Sequence, residues 1–155
     1  TGNPKAAVLM SLLKRDPDLD VRFLAWQSLL RLKPESLAEF KGGASSWLTP
    51  TQVETLGKDA GIQADVLEFI ALKGSDEQRP AAVKALAARG AAAATRLLGI
   101  YEGSGPNGDT AAAALKALAD VRQAESVPTY LGGSRSPHGP VRAAGFDAAA
   151  AQRYR

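Results

Sequence analysis

Apolar residues recur along the chain at the three- and four-residue spacing of amphipathic helices. Runs of β-branched residues that alternate with polar ones, the pattern of half-buried strands, are absent from the sequence. Capping residues at the starts and glycine or proline at the ends divide the chain into ten segments. These segments predict helices at residues 4–14, 17–32, 35–41, 50–60, 62–73, 76–89, 91–102, 109–120, 124–131 and 138–152.

Three of the predicted helices begin with recognisable capping residues. Asp16 is followed by a proline, which suits an N-cap and the first helical position. Thr49 and Ser75 are each followed three residues later by glutamine, the spacing of a capping box. The sequence therefore predicts that these three residues cap the helices that follow them.

The predicted helix at 17–32 is apolar on two faces. One face holds Val21, Leu24, Ala25, Ser28, Leu29 and Leu32, and the other holds Phe23, Trp26 and Leu30. Arg22 falls in the seam between them, where an unpaired charge would cost several kcal/mol if buried. We expect neighbouring helices to cover both faces. Arg22 should pair with carboxylates of nearby turns, including those of Asp16, Asp18, Asp20 and Asp76.

The Val-Arg helix pattern repeats along the chain. Positions equivalent to 22 are 54, 79, 111 and 142, which are 32, 25, 32 and 31 residues apart. Arg79 and Arg142 repeat the arginine, whereas Glu54 and Ala111 replace it. A period of about 30 residues that contains two helices indicates an α-solenoid.

Two stretches carry a family resemblance. "DPDLDVRFLAWQSL" (16–29) resembles the first helix of a HEAT repeat, and "ALADVRQAESVPTYLGGSRSPHGPVRAAGFDAAA" (117–150) resembles the short, bacterial, phycobilisome-lyase-type HEAT-like repeat. The resemblance is fair over 75–102 and poor over 33–74. It implies one domain, 1–155, built as an all-α superhelix of about five antiparallel helix pairs.

HEAT repeats use a ladder of aspartates and arginines along the turns between repeats. In this chain the resemblance implies a structural ladder made by Arg22, Arg79, Arg142, Asp16, Asp20 and Asp76. In such arrays the second helix of each pair lines the concave surface, which often holds a partner.

Composition argues against an enzyme. The chain has no cysteine, which excludes disulfides, thiol nucleophiles and thiolate metal sites. Its single histidine, His138, lies in a predicted turn without an identifiable base or nucleophile partner. Phosphate-loop, G-x-S-x-G and H-E-x-x-H motifs are also absent. We therefore predict no catalytic residues, no metal and no cofactor.

Charge is distributed unevenly. From residue 122 onward five arginines oppose two carboxylates, so this third carries the chain's whole net charge of +3. The predicted second helices carry six carboxylates (Glu35, Glu39, Asp65, Glu68, Glu102 and Glu125) against Lys41, Lys73 and Arg96, a net charge of −3. An acidic concave face argues against nucleic acid as the partner there.

Four residues are candidates for contact with a partner: Trp47, Glu68, Tyr101 and Tyr130. Trp47 precedes the Thr49 cap and is either a hydrophobic staple or an exposed contact residue. Tyr101 and Tyr130 fall late in second helices, where each is either buried with a hydrated hydroxyl group or exposed to the partner.

These features favour a non-catalytic protein–protein interaction module, a scaffold or adaptor that holds another protein. One alternative, from the resemblance, is a lyase- or chaperone-like helper for a tetrapyrrole-carrying protein. Another is a nucleic-acid role through the basic C-terminal third. The chain opens without methionine or a signal peptide, so we expect a piece of a longer protein of unknown localisation, with a slight preference for the cytoplasm. No apolar run approaches the ~18 residues of a membrane span, so no membrane insertion is expected.

Overall fold

The computed structural model describes residues 4–105, 108–121 and 127–153, and within these ranges it holds ten α-helices and no strand. The helices are α1 (Pro4–Leu13), α2 (Leu19–Leu32), α3 (Ser36–Glu39), α4 (Pro50–Lys58), α5 (Ala64–Lys73), α6 (Gln78–Ala87), α7 (Ala94–Gly103), α8 (Gly108–Asp120), α9 (Val127–Gly133) and α10 (Gly139–Arg153). The all-α prediction is confirmed.

Every predicted helix has a counterpart whose described ends lie within about three residues of the prediction, and residues 124–126 of the predicted helix 124–131 lie outside the described residues. The segment 35–41 is α-helical only over the four residues of α3 and continues into a π-helical turn at Phe40–Ala44. Inside that turn Gly43 has a φ of 127°, a conformation that favours glycine because it lacks a Cβ atom. The two consecutive glycines thus end α3 early.

Capping residues behave as predicted at two of the three sites. Thr49 and Gln52 exchange side-chain and backbone hydrogen bonds at the start of α4, and Ser75 and Gln78 do the same at the start of α6. The predicted Asp16 cap is wrong. The cap of α2 is Asp18, whose carboxylate accepts the backbone N–H groups of the helix's first turn at 2.9 and 3.2 Å.

The helices pack against each other in chain order. Among the even-numbered helices, α4 packs on α6, α6 on α8, and α8 on α10. Among the odd-numbered ones, α5 packs on α7. Consecutive helices also pack together, as in α1–α2, α5–α6, α7–α8 and α9–α10. Residues from α2 to α10 therefore share one continuous apolar core.

The two-faced α2 helix is only partly covered. Phe23, Trp26 and Leu29 are buried, and the Trp26 ring meets Phe40 edge to face at 5.5 Å. Leu24, however, is 59% exposed, so the expectation that neighbours cover both faces of α2 is wrong at this edge. On α1, which packs on α2, Leu12 is exposed as well.

Candidate functional site

Arg22 joins the turn before α2 to an aromatic ring. Its Nε and Nη2 atoms donate hydrogen bonds to the backbone carbonyl of Asp16 at 2.9 and 2.7 Å. The guanidinium lies 5.4 Å from the centre of the Trp47 ring, within the range of a cation–π interaction. The Asp16 carboxylate accepts the N–H of Asp18 instead, and no ion pair of Arg22 is found among the described residues. The expected carboxylate partner of Arg22 is therefore wrong, because the guanidinium binds a backbone carbonyl of the turn.

Arg142 closes an equivalent turn before α10. Its Nη1 atom donates to the carbonyls of Ser136 and Pro137, at 2.9 and 2.7 Å. The Ser136 hydroxyl also accepts the N–H of His138, just as Asp16 accepts the N–H of the residue two positions later. Segments 16–22 and 136–142 are therefore two copies of one turn, in which the arginine binds the carbonyl six residues before it.

The predicted ladder does not link one repeat to the next. Arg79 pairs with Asp76 at 2.8 Å, but Asp76 lies in the turn directly before α6, the helix that Arg79 belongs to. Arg22 and Arg142 bind carbonyls of their own turns. Asp20 is exposed and accepts none of the hydrogen bonds of these three arginines. The ladder prediction is corrected accordingly, because each of the three arginines stabilises a local turn.

Other residues connect successive even-numbered helices or the turns after them. The Asp59 carboxylate, after α4, accepts a hydrogen bond from Gln27 of α2 at 2.9 Å and lies 3.7 Å from Arg31. On α6, Lys84 pairs with Glu54 of α4 at 2.9 Å, and its hydrogen bond and charge lower the pKa of the Glu54 carboxyl group. These partners are about 30 residues apart, which matches the repeat period predicted from the sequence.

Arg89, at the end of α6, makes the most extensive of these connections. It donates hydrogen bonds of 2.8 to 3.4 Å to four carbonyls at the end of α4 and in the turn beyond it, those of Leu56, Gly57, Asp59 and Ile62. Partial burial lowers the pKa of the guanidinium, and the charge of Asp59 offsets part of that effect. Arg89 was not among the residues predicted from the sequence; its position at the end of the predicted helix 76–89, 30 residues beyond Asp59, was the available signal.

The four contact candidates fall in different environments. Tyr130 has no exposed surface, so its role as a surface contact is wrong; its ring is part of the core. Glu68 accepts a hydrogen bond from Arg96 at 2.8 Å, and Arg96 also pairs with Asp65 at 2.5 Å. Asp65 and Glu68 of the predicted acidic face are therefore both paired with Arg96. Tyr101 is partly buried against the core.

Trp47 lines a cavity. Leu48, directly before the Thr49 cap, is the buried residue at that helix start, while Trp47 keeps a partly exposed ring. The cavity has a volume of about 440 Å³, and we call it the tryptophan cavity. Its lining comprises Lys14, Arg15, Arg22, Trp26, Glu39, Gly42, Gly43 and Trp47.

A second cavity, of about 590 Å³, also adjoins the Phe40–Ala44 turn. We call it the phenylalanine cavity, and its lining comprises Lys41, Gly43, Ser45, Ser46, Phe69, Lys73, Gly74, Ser75 and Gln78. Gly43 lines both cavities, and a Cβ atom placed on either Gly42 or Gly43 would meet nothing within 4 Å. The backbone between the two cavities is therefore open to solvent.

The basic C-terminal third is described only in part. Arg122, Glu125 and Arg155 lie outside the described residues, as does the side chain of Arg153. Within the described residues no cluster of three or more metal-ligating His, Asp or Glu side chains is found. No helix in the same ranges has the length and hydrophobicity to cross a membrane.

Comparison with known proteins identifies no relative: no family model, no curated protein and no solved structure matches the chain. The HEAT-like resemblance therefore stays a prediction.

Arg22→Ala is expected to lower the melting temperature by a few degrees. The Asp16 carbonyl would lose both hydrogen bonds from the guanidinium, and the Trp47 ring would lose its cation. Together these losses should lower the free energy of unfolding by about 1 to 2 kcal/mol. Arg142→Ala removes the equivalent turn contacts at an exposed site without a ring contact, so its effect should be smaller. Thermal denaturation followed by circular dichroism measures both. An unchanged melting temperature of Arg22→Ala would show that its contacts with Asp16 and Trp47 do not stabilise the fold.

Proposed function

We propose that this chain is a short HEAT-like α-solenoid that acts as a non-catalytic protein–protein interaction module, a scaffold or adaptor. The spacing of its helices supports the solenoid. Helices α2, α4, α6, α8 and α10 begin at residues 19, 50, 78, 108 and 139, which are 31, 28, 30 and 31 residues apart. Stacked pairs with this period form extended surfaces suited to holding other proteins.

The observation that carries the proposal is the composition of the surface formed by α5 and α7. Phe69 and Leu72 on α5, and Leu98 and Tyr101 on α7, pack against the core but remain partly exposed. They lie on two helices that also carry the Arg96 ion pairs to α5. Partly exposed aromatic and aliphatic side chains beside charged pairs are typical of protein interfaces, where a few such residues dominate the affinity.

Tyr101→Ala is expected to weaken binding of a partner protein at least tenfold, the loss of about 2 kcal/mol typical of an aromatic anchor residue. Phe146→Ala is the matched control, since Phe146 is a 61% exposed aromatic residue on α10. Immobilised wild-type and variant proteins are compared for the proteins that each retains, identified by mass spectrometry, followed by titration of the purified partner. We expect only the Tyr101→Ala variant to lose the partner protein.

Two results would contradict the proposal. If the wild-type chain retained no protein at any salt concentration, the interaction function would be wrong. If Phe146→Ala and Tyr101→Ala lost the partner equally, the surface formed by α5 and α7 would not be the binding surface.

A further inference from the structure

Cations are held over aromatic rings in both cavities beside the Gly42–Gly43 turn. Lys14 lies 5.6 Å from the ring centre of Trp26, and Lys41 lies 5.9 Å from that of Phe69. With the pair of Arg22 and Trp47, these are the three cation–π contacts found among the described residues. Each ring restricts the position of a cation at a cavity wall, so the charged groups are partly preorganised for an anionic ligand.

Charge is concentrated at the same place. The two cavities together are lined by five cations, namely Lys14, Arg15, Arg22, Lys41 and Lys73, against the single carboxylate of Glu39, which leaves a net charge of +4. This exceeds the net charge of the whole chain, which is +3. Arg15, Lys41 and Lys73 are exposed, and Arg15 forms no hydrogen bond or ion pair with the described residues. Arg15, Lys41 and Lys73 are therefore available to an outside ligand.

The cation–π geometry favours carboxylates over nucleic-acid bases. Single-stranded nucleic acids bind largely by stacking their bases on exposed aromatic faces. Here the rings of Trp47 and Phe69 already have a cation over one face each, so a base could stack on that face only by displacing the cation. The cations already bind groups that a peptide also supplies: Arg22 binds a backbone carbonyl and Lys14 a carboxylate.

We propose that the tryptophan and phenylalanine cavities form one groove that docks an acidic peptide segment of the partner protein. Carboxylates of the segment pair with Arg15 and Arg22 in the tryptophan cavity and with Lys41 and Lys73 in the phenylalanine cavity. The segment passes over Gly42 and Gly43, where the absence of side chains leaves room for its backbone. This inference rests on the proposed function, because it names the chemistry of the protein partner.

Synthetic peptides test the groove directly. An acetylated and amidated peptide of four glutamates around one leucine is titrated into the intact chain, alongside the same peptide with glutamines. The chain has two tryptophans, both of which line the tryptophan cavity, so tryptophan fluorescence reports on this cavity. We expect a fluorescence change with the glutamate peptide, binding at least about tenfold weaker with the glutamine peptide, and weaker binding as salt screens the charges.

Charge-reversal variants test the residues. Arg15→Glu and Lys41→Glu should each weaken binding of the glutamate peptide about tenfold, because each replaces an attraction by a repulsion at one of the two cavities. Lys116→Glu makes the same change of charge at an exposed position on α8, outside both cavities, and should leave the affinity unchanged. Circular dichroism verifies that each variant is folded, as expected for exposed positions.

Three results would overturn the groove: equal affinity for the glutamate and glutamine peptides, tighter binding of an oligothymidylate of equal charge, or no effect of Arg15→Glu. The partner-capture experiment with Tyr101→Ala is independent of the peptides. Loss of peptide binding with partner capture intact would refute the groove alone. Peptide binding without any captured protein would refute the interaction function and leave an anion-binding groove.

Discussion

Arg89→Met is expected to lower the melting temperature of the protein by about 5 to 10 °C. Methionine has similar length but no donor, so the four carbonyls that Arg89 binds would lose their charged partner. Hydrogen bonds to charged groups contribute about 1.5 to 3 kcal/mol, and water can replace part of the loss at this half-buried site. A net loss of about 2 to 3 kcal/mol corresponds to this shift in a chain of 155 residues.

The control separates the hydrogen bonds from the charge. Arg15→Met removes the same side chain at an exposed position without hydrogen bonds and should change stability by less than about 0.5 kcal/mol. Thermal and urea denaturation of both variants measure the difference. Equal melting temperatures of Arg89→Met and the wild type would mean that the turn after α4 is held by its apolar contacts alone.

The helices were predictable because their signals are local. Helix starts depend on a few neighbouring residues, and the Thr49 and Ser75 capping boxes were visible in the sequence with their glutamines three residues later. Apolar spacing then defined the helices between the starts. Helix α3 was less predictable, since a π-helical turn depends on how the chain is packed as well as on its own residues.

The partners of the arginines were not predictable to the same degree. A helical wheel places Arg22 in a seam but does not say whether a carboxylate or a carbonyl lies next to it. Arg89 binds carbonyls, and every residue has a carbonyl, so no side-chain pattern points to its partners. Trp47 was a candidate from its position, whereas the cavity beside it required the fold of the Gly42–Gly43 turn.

Gly145→Ala is expected to destabilise the protein strongly, although it adds only one methyl group. A Cβ atom on Gly145 would lie 2.6 Å from the carbonyl carbon of Gly133 and 2.8 Å from the carbonyl oxygen of Tyr130, and it would overlap the backbone nitrogen of Ser134. These are backbone atoms at the end of α9, so no change of rotamer can relieve the overlap. Separating α9 from α10 is expected to cost about 3 kcal/mol.

Gly132→Ala adds the same methyl group within α9 and should have the opposite effect. A Cβ atom there would meet nothing within 4 Å, and alanine favours a helix over glycine by up to about 1 kcal/mol. Urea denaturation of the two variants should therefore place the wild type between them. If Gly145→Ala were as stable as Gly132→Ala, α9 and α10 would not pack backbone to backbone.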